Sequence, residues 1–207
     1  VQSLLTMSHL HDIDVMVRPS TLEKSKLYRY LEDGAAGLMI PLVSDAEKAQ
    51  NLVNAVKFPP LGDRGIDGAG LDCGFMVDFH EQENFDYTNL VNQETFLVVQ
   101  IETPAAVENI DTIASVKGVD ALFIGIGDLG LRYKHMENPN TLDEVDIIIS
   151  KAAKKYGIHW GRPIRNEEDA KRALALGCQI FPFAGDFELI MDGLRSRAKQ
   201  LGQIFGE

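Results

Sequence analysis

Four polar residues stand at or just past the ends of apolar runs, with side chains able to do chemistry. Arg18 follows Val15-Met16-Val17. Gln100 and Glu102 close the run that begins at Leu97, and Asp128 follows the run from Ala121 to Gly127. In parallel α/β sheets, sites are built where strands end and loops begin. Two strand-end carboxylates, with open positions left to water and substrate oxygens, suit a hard or borderline divalent ion such as Mg²⁺ or Mn²⁺. Each residue also has a plainer use. Glu102 precedes a helix, where a carboxylate offsets the macrodipole. Asp128 suits a turn, Gln100 a buried hydrogen bond, and Arg18 a surface ion pair.

Other chemistries lack their residues. The five histidines (His9, His11, His80, His135 and His159) form no HxxxH pair, and the one HxH, His9-Leu10-His11, stands far in sequence from the other three, which weakens a zinc-hydrolase reading. No GxSxG elbow or GxxxxGK[ST] loop occurs. Cys73 and Cys178 have no CxxC spacing and read as free thiols in a reducing cytosol. The chain carries 20 Lys and Arg against 31 Asp and Glu, a net charge of −11. That balance disfavours nucleic acid, whose binders concentrate positive charge, and anionic membrane surfaces. No run approaches the roughly 20 apolar residues of a membrane helix, so a cytoplasmic location is expected.

The elements that must position these residues follow from patterning. Residues 13–17, 37–43, 96–101, 121–125, 157–161 and 178–184 are short, continuously apolar blocks, as in parallel strands covered on both faces. Between them lie helical patterns. One starts at Ser44-Asp45-Ala46-Glu47, and one at Thr103-Pro104, with a capping hydroxyl and proline at the first helical position. Others cover residues 141–156, 166–176 and 187–205. Residues 57–94 break the rhythm with a Pro- and Gly-rich loop, closed by a short helix at 84–92; so long a connection is usually functional or disordered. Alternating strand and helix predicts an α/β fold with a parallel sheet. Six strands fit an open sheet, or an eight-stranded barrel short of its typical length of about 250 residues; the arithmetic alone does not choose.

The runs Val99-Gln100-Ile101-Glu102-Thr103-Pro104-Ala105-Ala106-Val107-Glu108-Asn109 and Gly118-Val119-Asp120-Ala121-Leu122-Phe123-Ile124-Gly125-Ile126-Gly127-Asp128-Leu129 resemble the HpcH/HpaI aldolases. Val15-Met16-Val17-Arg18-Pro19, the stretch from Gly34 to Pro41, Pro59-Pro60-Leu61-Gly62-Asp63-Arg64-Gly65 and the strand from Gly177 also fit. The resemblance implies a (β/α)8 TIM barrel over residues 1–207 as one domain, lacking the family's first two βα units. The chain opens at Val1, and its natural N-terminus is expected upstream.

The activity so implied is metal-dependent cleavage of 4-hydroxy-2-oxo acids to pyruvate and an aldehyde. Mg²⁺, Mn²⁺ or Co²⁺ would be held by Glu102 and Asp128 and would bind the keto acid through its carboxylate and 2-keto oxygen. Arg18 would stabilise the enolate, Gln100 would orient metal water or substrate, and the amides of Gly127 and Asp128 would take the carboxylate. Breaking a C–C bond beside a ketone leaves an enolate, whose charge a metal and an arginine offset. The family's acid/base histidine has no counterpart here; Glu32 stands where the family commonly has its aspartate partner. Arg162 and Arg165, in a stretch the family keeps more apolar, would favour an aldehyde bearing its own carboxylate if either overlooks the site. A homo-oligomer, trimer or hexamer, is also implied. Two alternatives stay open: a related lyase on the same scaffold (oxo-acid decarboxylase or CoA-ester lyase), and a non-catalytic barrel.

Overall fold

A computed structural model describes residues 1–66, 70–72 and 86–206. Its centre is a five-stranded, wholly parallel sheet in sequential order: β1 (Met16–Val17), β2 (Gly37–Ile40), β3 (Phe96–Ile101), β4 (Ala121–Ile124) and β5 (His159–Gly161). A parallel bridge from Gly161 to Ile180 marks a sixth position. The helices are α1 (Gln2–His9), α2 (Lys24–Glu32), α3 (Ala46–Val56), α4 (Tyr87–Glu94), α5 (Pro104–Glu108), α6 (Ile110–Ala114), α7 (Ile126–Tyr133), α8 (Leu142–Tyr156), α9 (Glu167–Ala175) and α10 (Asp186–Phe205). The parallel α/β architecture expected from the apolar blocks is present. Sequential order with neighbouring parallel pairs is the wiring of a βα barrel wall.

Local chemistry fixes the helix starts. Asp45 caps α3 by accepting from Lys48 N, and Thr103 caps α5 with Pro104 at its first position. Thr141 and Glu144 form a capping box on α8, which ends at Gly157 in the left-handed conformation that glycine adopts without penalty. α1, α2 and α7 escape the sequence pattern. α2 is otherwise polar and buries only Leu27 and Leu31 among apolar residues. α7 carries Gly127 and Gly130, poor helix formers, and is anchored by buried Leu129 and Tyr133.

The sheet has two apolar faces. Leu38, Ile40, Leu97, Val99, Ile101, Leu122, Ile124 and Trp160 face the helices in the main core. Met39, Val98, Ala121 and Phe123 cluster on the other face. Side chains alternate along a strand. Continuing that alternation puts Arg18, Gln100, Glu102 and Gly125 on the inner face and Arg162 on the helix face. The strand expected over 37–43 ends at Ile40, because Leu42 turns to a positive φ of 59° and leaves the sheet. The expected strand over 178–184 is reduced to its bridge at Ile180.

At the strand-start end, buried Lys57 ties the layers together. Its ammonium donates to the carbonyls of Asn92 and Thr95 and lies 3.2 Å from Asp120 Oδ2. Asp120 accepts from Leu97 N at 2.7 Å. Strands β3 and β4 are thereby pinned in register opposite the end where the candidate site lies.

Candidate active site at the strand ends

Register builds the site. Gln100 pairs with Phe123 and Ile101 with Ile124, so Glu102 comes level with Gly125. Arg18, one residue past β1, reaches across β2, and its Nε donates to Gln100 Oε1 at 2.6 Å. That bond orients the planar guanidinium and leaves its terminal nitrogens for an anionic oxygen. The Gln100 side chain therefore acts on Arg18.

Glu102 is 2% exposed. Its Oε1 accepts from Leu42 N at 2.8 Å. Leu42 is the only non-glycine residue just past a described strand with positive φ. A left-handed leucine is uncommon and costs on the order of 1–2 kcal/mol, and here the turn aims the amide at the carboxylate. The other Glu102 oxygen faces Gly125; a Cβ on that glycine would lie 2.6 Å from Glu102 Cβ and closer still to Oε2. Leu42 and Gly125 are the positions in contact with Glu102 that residue type alone did not mark. For Gly125 the one visible signal was the glycine pair Gly125 and Gly127 after an apolar run; Leu42 had none.

Gly125 also caps α7, placing Gly127 and Asp128 in the first helical turn. Amides there lack intrahelical acceptors and point toward an anion. Among the described residues, no side chain or backbone crowds Gly127. The Asp128 carboxylate is half exposed and accepts from Arg132 Nη1 at 2.9 Å. Its backbone is thus in place for a carboxylate ligand, and its side chain is shared with Arg132.

The donor set can be tested for a divalent ion. Among the described residues no group of three or more His, Cys, Asp or Glu side chains gathers. Mg²⁺ commonly takes one or two carboxylates and completes its shell with water and substrate oxygens. Glu102 is buried, and its one hydrogen bond from the described residues comes from a neutral amide. A buried carboxylate so placed gains from a cation. Buried Glu102 therefore fits such an ion, while the half-exposed Asp128 carboxylate, in the first turn of α7, is paired with Arg132.

The remaining candidates lie elsewhere. Glu32 closes α2 five residues before β2, at the strand-start end, where its carboxylate lies 3.4 Å from Arg29. It is not brought to the Arg18–Gln100–Glu102 group. Arg162 is buried on the helix face. Its Nη2 donates to Asp169 Oδ1 at 2.6 Å and its Nη1 to Oδ2 at 3.0 Å, while its Nε lies 3.0 Å from Asp146 Oδ2. Arg165 also turns to Asp169. The Arg162 hydrogen bonds hold the Asp169 carboxyl well below the usual carboxylate range, with Arg165 adding to them. Burial pushes Asp146 up, against the pull of Arg162. Arg162 thus fastens the β5–α9 turn to α8 and α9, and Arg165 fastens it to α9. Cys178 is buried and unbridged, with its thiol pushed up by burial. Cys73 and His80 lie outside the described residues, and no described helix is long and apolar enough to cross a membrane.

Similarity to known proteins identifies the family. The sequence profile of the HpcH/HpaI aldolase/citrate lyase family matches residues 1–192. A hydroxypyruvate/pyruvate aldolase of Pseudomonas aeruginosa is 33% identical over 186 residues, 88% of this chain and 67% of that protein. A 4-hydroxy-2-oxo-heptane-1,7-dioate aldolase of Salmonella paratyphi A is 32% identical over 193 residues, 90% of this chain and 70% of that protein. The crystal structure of an HpcH/HpaI aldolase from Desulfitobacterium hafniense DCB-2 superposes with a TM-score of 0.85 at 28% identity, covering 97% of this chain and 77% of that one. The aldolase reading and the barrel-type fold are borne out, and the chain belongs to the HpcH/HpaI aldolase/citrate lyase family.

Proposed function

We propose that this protein cleaves 4-hydroxy-2-oxo acids to pyruvate and an aldehyde, with Glu102 and Asp128 holding a divalent metal ion. The observation that carries the reading is the 2.6 Å Arg18–Gln100 bond on the same strand-end face as buried Glu102. In the cleavage, the proton of the 4-hydroxyl leaves and the C3–C4 bond breaks. C4 becomes the aldehyde carbonyl. The bond's electron pair enters the C2–C3 enolate, which takes a proton at C3 to give pyruvate. When bound, a divalent ion supplies Lewis-acid stabilisation of negative charge on the oxo acid.

The chain's own residues do the rest. Arg18 points fixed N–H groups at the enolate oxygen, and removing such a donor costs about 10²–10³ in rate. Gln100 sets the rotation of that guanidinium. The amides of Gly127 and Asp128 orient the substrate carboxylate. Glu32, at the far end of the sheet, is given no proton step. With Arg162 and Arg165 turned to Asp169, the acceptor aldehyde need carry no charge of its own. The name of the Pseudomonas aeruginosa relative favours pyruvate or hydroxypyruvate as the nucleophilic partner. A cytoplasmic homo-oligomer, trimer or hexamer, completes the proposal.

The test is product analysis. Purified protein supplied with Mg²⁺, Mn²⁺ or Co²⁺ should release pyruvate from a 4-hydroxy-2-oxo acid and exchange the methyl protons of pyruvate in D₂O, and chelation should abolish both. Release of pyruvate from oxaloacetate alone, or cleavage of an acyl-CoA ester alone, would move the assignment to another lyase on this scaffold. No turnover and no exchange with any metal would leave a non-catalytic barrel.

A further inference from the structure

Asp128 is asked to serve two cations. In the proposed function it holds a divalent ion with Glu102, yet its carboxylate already accepts from Arg132 Nη1 at 2.9 Å. The same nitrogen donates to the Asp128 carbonyl, also at 2.9 Å. The two residues stand four apart on α7, acid before base, the better order for a pair on a helix surface. The guanidinium therefore lies along the helix and straddles the carbonyl and carboxylate of one residue. Among the described residues it makes no second ion pair, so its charge is directed at Asp128.

The two carboxylates of the site are thus unlike. Buried Glu102 accepts from the neutral amide of Leu42, which leaves its full charge to an ion. Asp128 has a cation beside it. The two arginines are unlike as well. Arg18 is bonded to neutral Gln100, and its charge stays available to the substrate. Arg132 is bonded to the residue that must also ligate metal. Arg18 and Arg132 together balance Glu102 and Asp128 charge for charge. A divalent ion entering that neutral group meets a like charge one helical turn beyond its ligand. The pair is also easily parted. Its side chains are 36% exposed for Arg132 and 51% for Asp128, and ion pairs so exposed to water are weak.

We propose that Arg132 is a positioning residue that competes with the divalent ion for Asp128, so that the ion binds against this guanidinium and is held more loosely because of it. The proposal rests on the metal reading of Glu102 and Asp128 and goes beyond it, since neither carboxylate alone sets how tightly the ion is held.

The experiment measures binding of Mn²⁺ alone to metal-stripped protein, with no oxo acid present, by the loss of the free-ion electron paramagnetic resonance signal. Arg132→Met removes the charge and keeps a good helix former. It should bind Mn²⁺ roughly three- to tenfold more tightly than the wild type at low salt. Arg132→Lys keeps a cation at the same place and should stay near the wild type. The gap between Arg132→Met and wild type should narrow as KCl is raised, because repulsion across solvent is screened. Adding Asp128→Asn to Arg132→Met should cancel the gain. Arg132→Met with wild-type affinity reduces the pair to a brace on α7 and overturns the proposal. Weaker binding makes Arg132 a support for the ligand and overturns it too, as does a gap that ignores salt. In these three cases the metal reading stands if Glu102→Gln and Asp128→Asn each lose Mn²⁺. If both of those variants bind Mn²⁺ as the wild type does, or if wild type and Arg132→Met alike take up none at millimolar concentration, the metal reading fails and the competition fails with it.

Discussion

Replacing Gly125 by alanine should dislodge Glu102. The backbone permits alanine, because Gly125 sits at φ −82° and ψ 76°, on the side of the map open to any residue. Space does not permit it. The new Cβ would lie 2.6 Å from Glu102 Cβ, where carbon atoms prefer about 3.5–4.0 Å. One of the two must move by about 1 Å. Glu102 is the side that can yield only at a cost to function, since its Oε1 is tied to Leu42 N at 2.8 Å and the residue is buried. Overpacking of this size costs about 1–3 kcal/mol, or roughly 2–12 °C of Tm in a chain of this length. A displacement near 1 Å at a reacting centre can cost about 10²-fold in rate. Pyruvate release measured across a titration of Mg²⁺ should show a kcat/KM lower by about two orders of magnitude and a raised metal requirement. Gly127→Ala is the control. Nothing among the described residues lies near its would-be Cβ, and alanine is the better helix former by about 1 kcal/mol, so it should fold as well as the wild type or better. A Gly125→Ala enzyme with wild-type turnover and metal dependence would refute the assignment of Glu102 to the reacting centre.

Four further outcomes follow from the same geometry. Arg18→Lys and Gln100→Ala should each lower kcat more than they raise KM, and the double variant should lose less than the product of the two, because one residue positions the other. Leu42→Gly keeps the amide that holds Glu102 and removes the left-handed strain, so it should retain activity with stability unchanged or up by about 1 kcal/mol; Leu42→Pro loses both the donor and the φ and should be inactive. Arg162→Met leaves Asp146 and Asp169 buried without their shared cation and should lower unfolding free energy by about 3–5 kcal/mol, while the ratio of kcat/KM for acidic and neutral aldehydes stays fixed. For pH, the Asp169 carboxyl is depressed in the folded state, so its contribution is present above the ordinary carboxylate value near 4 and declines as pH falls below it. The stability advantage of wild type over Asp169→Asn, measured by urea unfolding, should shrink between pH 5 and pH 2.

Much of the scaffold could be read from residue order. Capping residues Asp45, Thr103, Thr141 and Asn166 all act as their types predict, each accepting from an amide in the first turn of its helix. The apolar blocks became parallel strands with both faces apolar: one packs on the helices, and on the other Met39, Val98, Ala121 and Phe123 pack on one another. What escaped was made by tertiary context. α7 carries two glycines and exists because Leu129 and Tyr133 find the core. Leu42 is apolar and follows a proline, and its type gives no hint of a left-handed turn. Its conformation is legible only once Glu102 stands opposite its amide.

Arg18 and Arg162 show why position after a strand does not decide a role. Each is the first residue past a strand, β1 or β5, and each is an arginine followed by proline. On spacing alone both overlook a site. The difference is one of parity. Met16 belongs to the inner face, so two residues later Arg18 is inner also. Trp160 belongs to the helix face, so Arg162 points outward, into the gap between α8 and α9. There a guanidinium could be buried only with anionic partners, and Asp146 and Asp169 supply them, at 3–4% side-chain exposure for all three. The arginine left on the inner face instead keeps a neutral partner, Gln100. A neutral partner orients a guanidinium without cancelling its charge, which is the condition for that charge to act on a developing enolate.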